Sequence, residues 1–94
     1  MANLEIQSAT EENNSWSYQV KLDEGRSSHQ YQVTLSRTDY EQWSQGQAEP
    51  EQVIQAAFDF LLEREPASAI LSGFDCSVIR RYFPEVDREL PKKL

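Results

Sequence analysis

The segment Gly73-Phe-Asp-Cys-Ser-Val-Ile-Arg-Arg-Tyr-Phe-Pro84 gathers the side chains best suited to chemistry. The only cysteine, Cys76, stands between Asp75 and Ser77, four residues before Arg80. At the first turn of a helix, the dipole and Arg80 would favour the thiolate, and Asp75 would oppose it. A thiol nucleophile also needs a base. The only histidine, His29, belongs to a remote stretch, and nothing in the sequence brings the two together. The competing reading is a plain amphipathic helix, with Gly73 as a stop and Asp75 as N-cap. Val78, Ile79, Tyr82 and Phe83 then face the core, and Pro84 ends the turn. On that reading Cys76 is a small, partly buried structural residue.

Other chemistries fail on inventory or spacing. One histidine and one cysteine cannot make a zinc site, and no acidic run has the spacing of a calcium loop. Gly25, Gly46 and Gly73 are isolated, so none builds a phosphate-cradling loop. Asp59 and Glu63, four residues apart, could form an acid–base pair, but they share a polar helical stripe with Gln52 and Gln55. Such stripes face solvent. The expectation is no catalytic residue, no metal and no cofactor.

Arg80 and Arg81 are stronger candidates. With the apolar side chains of their helix turned inward, both should project from the edge of its buried face. Arg88, Lys92 and Lys93 would extend a basic patch. Two roles compete for it. The patch can neutralise Asp75, Glu85, Asp87 and Glu89 locally. Alternatively, Arg80, Arg81 and Arg88 can hold a partner's carboxylate or phosphate by bidentate contacts.

The elements that position these residues begin with alternation. Trp16, Tyr18, Val20 and Leu22 alternate with Ser17, Gln19 and Lys21, and Tyr31, Val33 and Leu35 alternate with Gln30, Gln32 and Thr34. Period two with aromatic and β-branched residues predicts half-buried strands. A hairpin pairing Val20 with Tyr31, Tyr18 with Val33 and Trp16 with Leu35 puts every apolar residue on one side. Leu4 and Ile6 suggest a weaker third strand. Whether Thr10 to Ser15 is a loop tip or a lead-in stays open at this stage. Ser36 then suits a helix N-cap, with Asp39 at N3, Leu35 stapled to Tyr40, and Gly46 as the stop. Pro50 suits the first position of a second helix, to about Arg64. Its apolar residues Val53, Ile54, Ala56, Ala57, Phe58, Phe60, Leu61 and Leu62 cover roughly two-thirds of the circumference, which places it at the centre of the domain. Beyond Pro66, Ala67 to Leu71 reads as another turn or two of helix. Pro84 opens a final turn with Val86 and Leu90, and Pro91 closes it.

Charge narrows the partners. The 94 residues carry 16 acids against 9 Lys and Arg, a net charge of −7. Residues 1 to 66 hold twelve acids and four bases, whereas residues 67 to 94 hold four acids and five bases. Most of the surface therefore repels nucleic acid and anionic lipid, and any anion-facing surface must use the last third. A single cysteine gives no internal disulfide, the N-terminus lacks the pattern of a signal peptide, and no apolar run approaches a membrane span. The expected setting is the cytoplasm, without a membrane partner.

The pattern Phe58-Asp-Phe-Leu-Leu-Glu-Arg-Glu-Pro66, Ile70-Leu71, Phe74-Asp75 and Ile79-Arg-Arg-Tyr-Phe-Pro84 resembles a family of small bacterial proteins of unknown activity. The resemblance covers a little under half of the chain and implies no catalytic or binding residues. The order strand, short helix, turn, long apolar helix over Tyr31 to Arg64 is similar to ribbon-helix-helix DNA-binding proteins. That similarity implies a strand-paired dimer reading the major groove through Gln30, Gln32 and Thr34. The segment departs from it: a hairpin partner already exists in Trp16 to Leu22, and Glu49 and Glu51 stand where a phosphate would dock. Acids also outnumber bases in the segment, which opposes counterion release.

The sequence thus predicts one α+β domain over residues 1 to 94. An antiparallel β-meander of two or three strands occupies residues 1 to 36, three or four helices occupy 37 to 90, and 91 to 94 form a tail. The expected function is non-enzymatic: a protein-interaction or accessory module using its C-terminal helical third, with another protein or an acidic peptide as partner. Two alternatives stand beside it. One is the ribbon-helix-helix reading, and the other is a small-molecule enzyme assembled from Tyr18, His29, Tyr31 and Asp59.

Overall fold

Alternation decides the first third of the molecule. The computed structural model describes residues 3–94. Strands β1 (Asn3–Glu11), β2 (Ser15–Asp23) and β3 (Ser28–Ser36) form an antiparallel meander. In the β2–β3 hairpin, Val20 pairs with Tyr31, Tyr18 with Val33 and Trp16 with Leu35, the register that burial of one face demands. All six side chains are buried. Leu4 pairs with Leu22 and Ile6 with Val20, and the register then shifts at Gln7, a bulge. β1 runs on to Glu11, past the Leu4–Ile6 signal. The hydrogen bond from the Glu12 N–H to the Ser15 carbonyl (2.8 Å) closes a tight turn, so residues 12 to 14 are the loop tip.

The two main helices follow their capping signals. In α1 (Arg37–Ser44) the Ser36 hydroxyl accepts from the Asp39 N–H at 3.1 Å. The left-handed turn that ends it begins at Gln45 (φ 53°), one residue before the expected Gly46 (φ 76°). α2 (Pro50–Leu62) starts with the proline, and the Gln52 side chain accepts from the Glu49 N–H at 2.7 Å. Its apolar residues are buried except the partly exposed Leu62, while Gln52, Gln55, Asp59 and Glu63 form the exposed stripe. Phe58 is fully buried, its ring 5.1 Å from Tyr31 and 6.0 Å from Phe74. That packing seats α2 against the sheet.

The last third departs from the helical expectation. Ala67–Ala69 makes a single 3₁₀ turn rather than a helix. Gly73 opens a strand instead of stopping a helix: β4 (Gly73–Asp75) pairs in parallel with β3, Phe74 beside Val33. The sheet is therefore mixed and four-stranded, in the order β1-β2-β3-β4. With one apolar residue in three, β4 is too short to announce itself by alternation. Asp75 does act as a cap, accepting from the Ser77 N–H at 3.0 Å, but over a 3₁₀ turn, Cys76–Val78, that leads into α3 (Ile79–Tyr82). Because side chains three apart eclipse in a 3₁₀ turn, Cys76 and Ile79 share the buried face. The helical phase shifts with them, and Tyr82 is turned out, 66% exposed rather than facing the core. α4 (Val86–Glu89) continues into a 3₁₀ turn, Leu90–Lys93, with Pro91 inside that turn instead of closing it. Val86 and Leu90 are fully buried, and Lys93 reaches Glu63 at 2.6 Å, so residues 91 to 94 are not a free tail. Among the described residues no helix is long and apolar enough to cross a membrane.

Candidate functional site

Arg80 is the most engaged cation in the C-terminal third. Its Nε donates to Asp87 Oδ2 at 2.8 Å, and its Nη2 to Asp87 Oδ1 at 2.8 Å and to Asp39 Oδ1 at 3.0 Å. The guanidinium carbon lies 5.6 Å from the centre of the Trp43 ring, and Trp43 Nε1 donates to the same Asp87 carboxylate at 2.8 Å. Asp39 is 5% exposed. The bond from Arg80 holds the Asp87 carboxyl below its usual range, opposed by partial burial and helped by Trp43. This bidentate cluster ties α1, α3 and α4 together. Arg80 therefore does not project as a free donor; its hydrogen-bonding fork is used inside the domain.

The other basic residues sit differently. Arg88 pairs with Glu89 at 3.1 Å, and Lys92 approaches the same carboxylate at 3.5 Å. Arg81 is exposed and makes no ion pair among the described residues. Of Arg80, Arg81 and Arg88, Arg81 is thus the one left open to a partner's anion.

Cys76 is fully buried. Burial first, then the carboxylates of Asp75 and Asp39, push its thiol far above the ordinary range, which disfavours the nucleophilic thiolate. Of Tyr18, His29, Tyr31 and Asp59, His29 and Tyr31 lie side by side with ring centres 6.3 Å apart, but their polar groups go to different partners. The Tyr31 hydroxyl donates to the Ala67 carbonyl at 2.8 Å, and His29 lies 3.3 Å from Glu24. Asp59 accepts from Gln55 at 3.0 Å on the exposed stripe. The Tyr18 hydroxyl is buried and has no hydrogen-bond partner among the described residues. Burial, with Glu51 and Glu11 nearby, raises its pKa steeply.

A feature that the patterning did not reveal lies between the end of α2, the Ala67–Ala69 turn, β4 and α3. It is an open groove of about 170 Å³. Leu61 and Ile70 form its buried base, Phe74 and Val78 its walls, and Leu71 and Tyr82 its rim. Among the described residues, Leu71 (51% exposed), Tyr82 and Leu94 are the large apolar side chains most open to solvent, and two of the three stand here. Glu65 is the one carboxylate in the lining, and Arg81 precedes Tyr82 in the chain. A second depression, of about 260 Å³, lies between the end of α1 and the last turn, at Trp43, Gln45, Ala48, Pro91 and Leu94. It has no ionisable lining residue. The sequence signal for the groove was Leu71 itself: an apolar residue with no periodic partner, placed between a 3₁₀ turn and Ser72-Gly73.

No protein-family model, curated protein or solved structure matches this chain.

Proposed function

We propose that this domain is a non-enzymatic, cytoplasmic interaction module that binds another protein through its C-terminal third. The observation that carries the reading is the apolar groove rimmed by Leu71 and Tyr82 beside Arg81. Exposed apolar side chains clustered at a concave surface favour a partner that covers them, because solvent gains when they are buried. The groove gathers no acid–base or nucleophilic pair. Both candidate centres for chemistry are otherwise occupied: Cys76 lies in the core, and Arg80 lies in its ion cluster. The nucleic-acid alternative has less support, since β2 pairs along one edge of β3 and β4 occupies the middle of the other, at Gln32 to Thr34, where a two-chain ribbon would have to pair.

Affinity capture from a lysate with the tagged full chain tests the reading, comparing the native protein with the Leu71→Ser/Tyr82→Ser variant. A stoichiometric protein captured by the native chain and lost with the variant is the expected result. An identical set of captured proteins from both would contradict it.

A further inference from the structure

We propose that the groove receives an extended peptide segment that adds a strand to the outer edge of β4. The segment carries aliphatic side chains at alternate positions and an acidic residue that meets Arg81. The proposal deepens the interaction reading above and rests on it.

The first support is the free edge. β4 is the last strand in the sheet order. The Gln32 N–H donates to the Ser72 carbonyl at 2.8 Å, and Val33 is the register partner of Phe74. Ser72 and Phe74 therefore turn their backbone groups toward β3, and strand alternation sends both groups of Gly73 and the N–H of Asp75 outward, while the Asp75 carbonyl is taken by the 3₁₀ turn that this residue caps. Gly73 itself is exposed.

The second is the match between edge and groove. Phe74 lies opposite Val33 on the buried face of the sheet and also forms a groove wall. A strand laid beside β4 projects every second side chain to that same face. Those side chains enter the groove against Phe74, Val78, Leu71 and Tyr82. The intervening ones lie on the polar face beside Gly73 and Asp75, the register partners of Gln32 and Thr34. Backbone bonds then supply affinity, and the groove selects the alternate side chains, as in other strand-addition complexes. A docked helix would satisfy its own backbone and leave the outward groups of Gly73 without a partner.

Charge sets the third condition. Arg81 lies outside the groove lining but is exposed and precedes the rim residue Tyr82 in the chain, so it is the cation assigned here to one carboxylate of the segment. Glu65 in the lining and the net charge of −7 repel more, so the segment is neutral apart from that acid.

Selection of a displayed library of random linear peptides on the full chain tests this. Binding of the most enriched peptide is then measured against native protein, Gly73→Pro, Leu71→Ser and Arg81→Glu, each first shown to be folded by its thermal melt. Gly73→Pro removes an outward N–H and leaves the bonds to β3 in place. Should that variant fail to fold, the selected peptide N-methylated at alternate amides replaces it as the probe. The expected result is alternation of aliphatic and polar residues with one acid. Affinity should fall about tenfold or more for Gly73→Pro (or on N-methylation), for Leu71→Ser and for Arg81→Glu. Enriched peptides with apolar residues at three- and four-residue spacing would overturn strand addition. So would binding that Leu71→Ser weakens but Gly73→Pro or N-methylation does not; either outcome leaves the interaction reading standing. Enrichment of no peptide also overturns strand addition, and the lysate capture then decides the broader reading on its own.

Discussion

Two tyrosines on neighbouring strands show how little a residue's type says about its energetic role. Tyr31 and Tyr18 are both buried, yet the hydroxyl of one donates to the Ala67 carbonyl and that of the other has no partner. An intramolecular hydrogen bond is worth about 1 kcal/mol net, whereas a buried unsatisfied hydroxyl costs about 1–3 kcal/mol. Tyr31→Phe should therefore lower unfolding stability by about 1 kcal/mol. Tyr18→Phe should leave it unchanged or raise it by about 1 kcal/mol. Urea denaturation of the two variants checks the contrast. The sequence shows both tyrosines on the buried face of a strand, because alternation encodes direction. The carbonyl that meets Tyr31 belongs to a turn 36 residues away, and no local pattern encodes that. Cys76 is a parallel case. Its burial follows from a 3₁₀ turn whose phase differs from that of the α-helix its neighbours suggest.

At the scale of elements, the Arg80 cluster separates a structural cation from an available one. Arg80→Glu would set a third carboxylate against Asp39 and Asp87 and release α1 from α3 and α4. The expected loss is about 2–3 kcal/mol, below the full value for a buried pair because a third of the Arg80 side chain meets solvent. Arg81→Glu should leave the melting temperature unchanged, so a thermal melt of the two variants divides the adjacent arginines. Acid tests the same clamp. The Asp87 carboxyl titrates below its unfolded value, so the native state binds fewer protons than the unfolded chain. Its contribution is complete above about pH 4 and is lost as pH falls through the native value. The melting temperature should therefore drop on acidification below about pH 4, with a shallower slope in Asp87→Asn. Asp75, Glu63, Glu85 and Glu89 shift the same way and supply the remaining slope. Long elements with strong periodicity were legible in the sequence: the β2–β3 register, both main helices and the burial of α2. The elements after Pro66 were not. β4 is defined by its parallel partner β3 across some 40 residues of chain, and short 3₁₀ turns carry no periodicity of their own.

The whole molecule is an acidic α+β domain with an apolar groove beside its last strand, and the exposed Arg81 precedes the groove's rim residue Tyr82 in the chain. The net charge of −7 makes most of the exterior repel nucleic acid, and the proposed recognition falls on the less acidic C-terminal third. The expected basic patch is largely neutralised by ion pairs of Arg80, Arg88, Lys92 and Lys93, and the groove was not foreseen. Arginine positions are visible in a sequence, but a concavity exists only once β4 and α3 are folded against the end of α2. Leu71 and Tyr82 are more than half exposed, so they add little to the core, and replacing them with serine removes apolar surface from solvent. The most direct measurement is lysate capture and the thermal melt of Leu71→Ser/Tyr82→Ser, read together against the native chain. The account predicts an unchanged or higher melting temperature with the captured partner lost. A partner retained by a folded variant would contradict it.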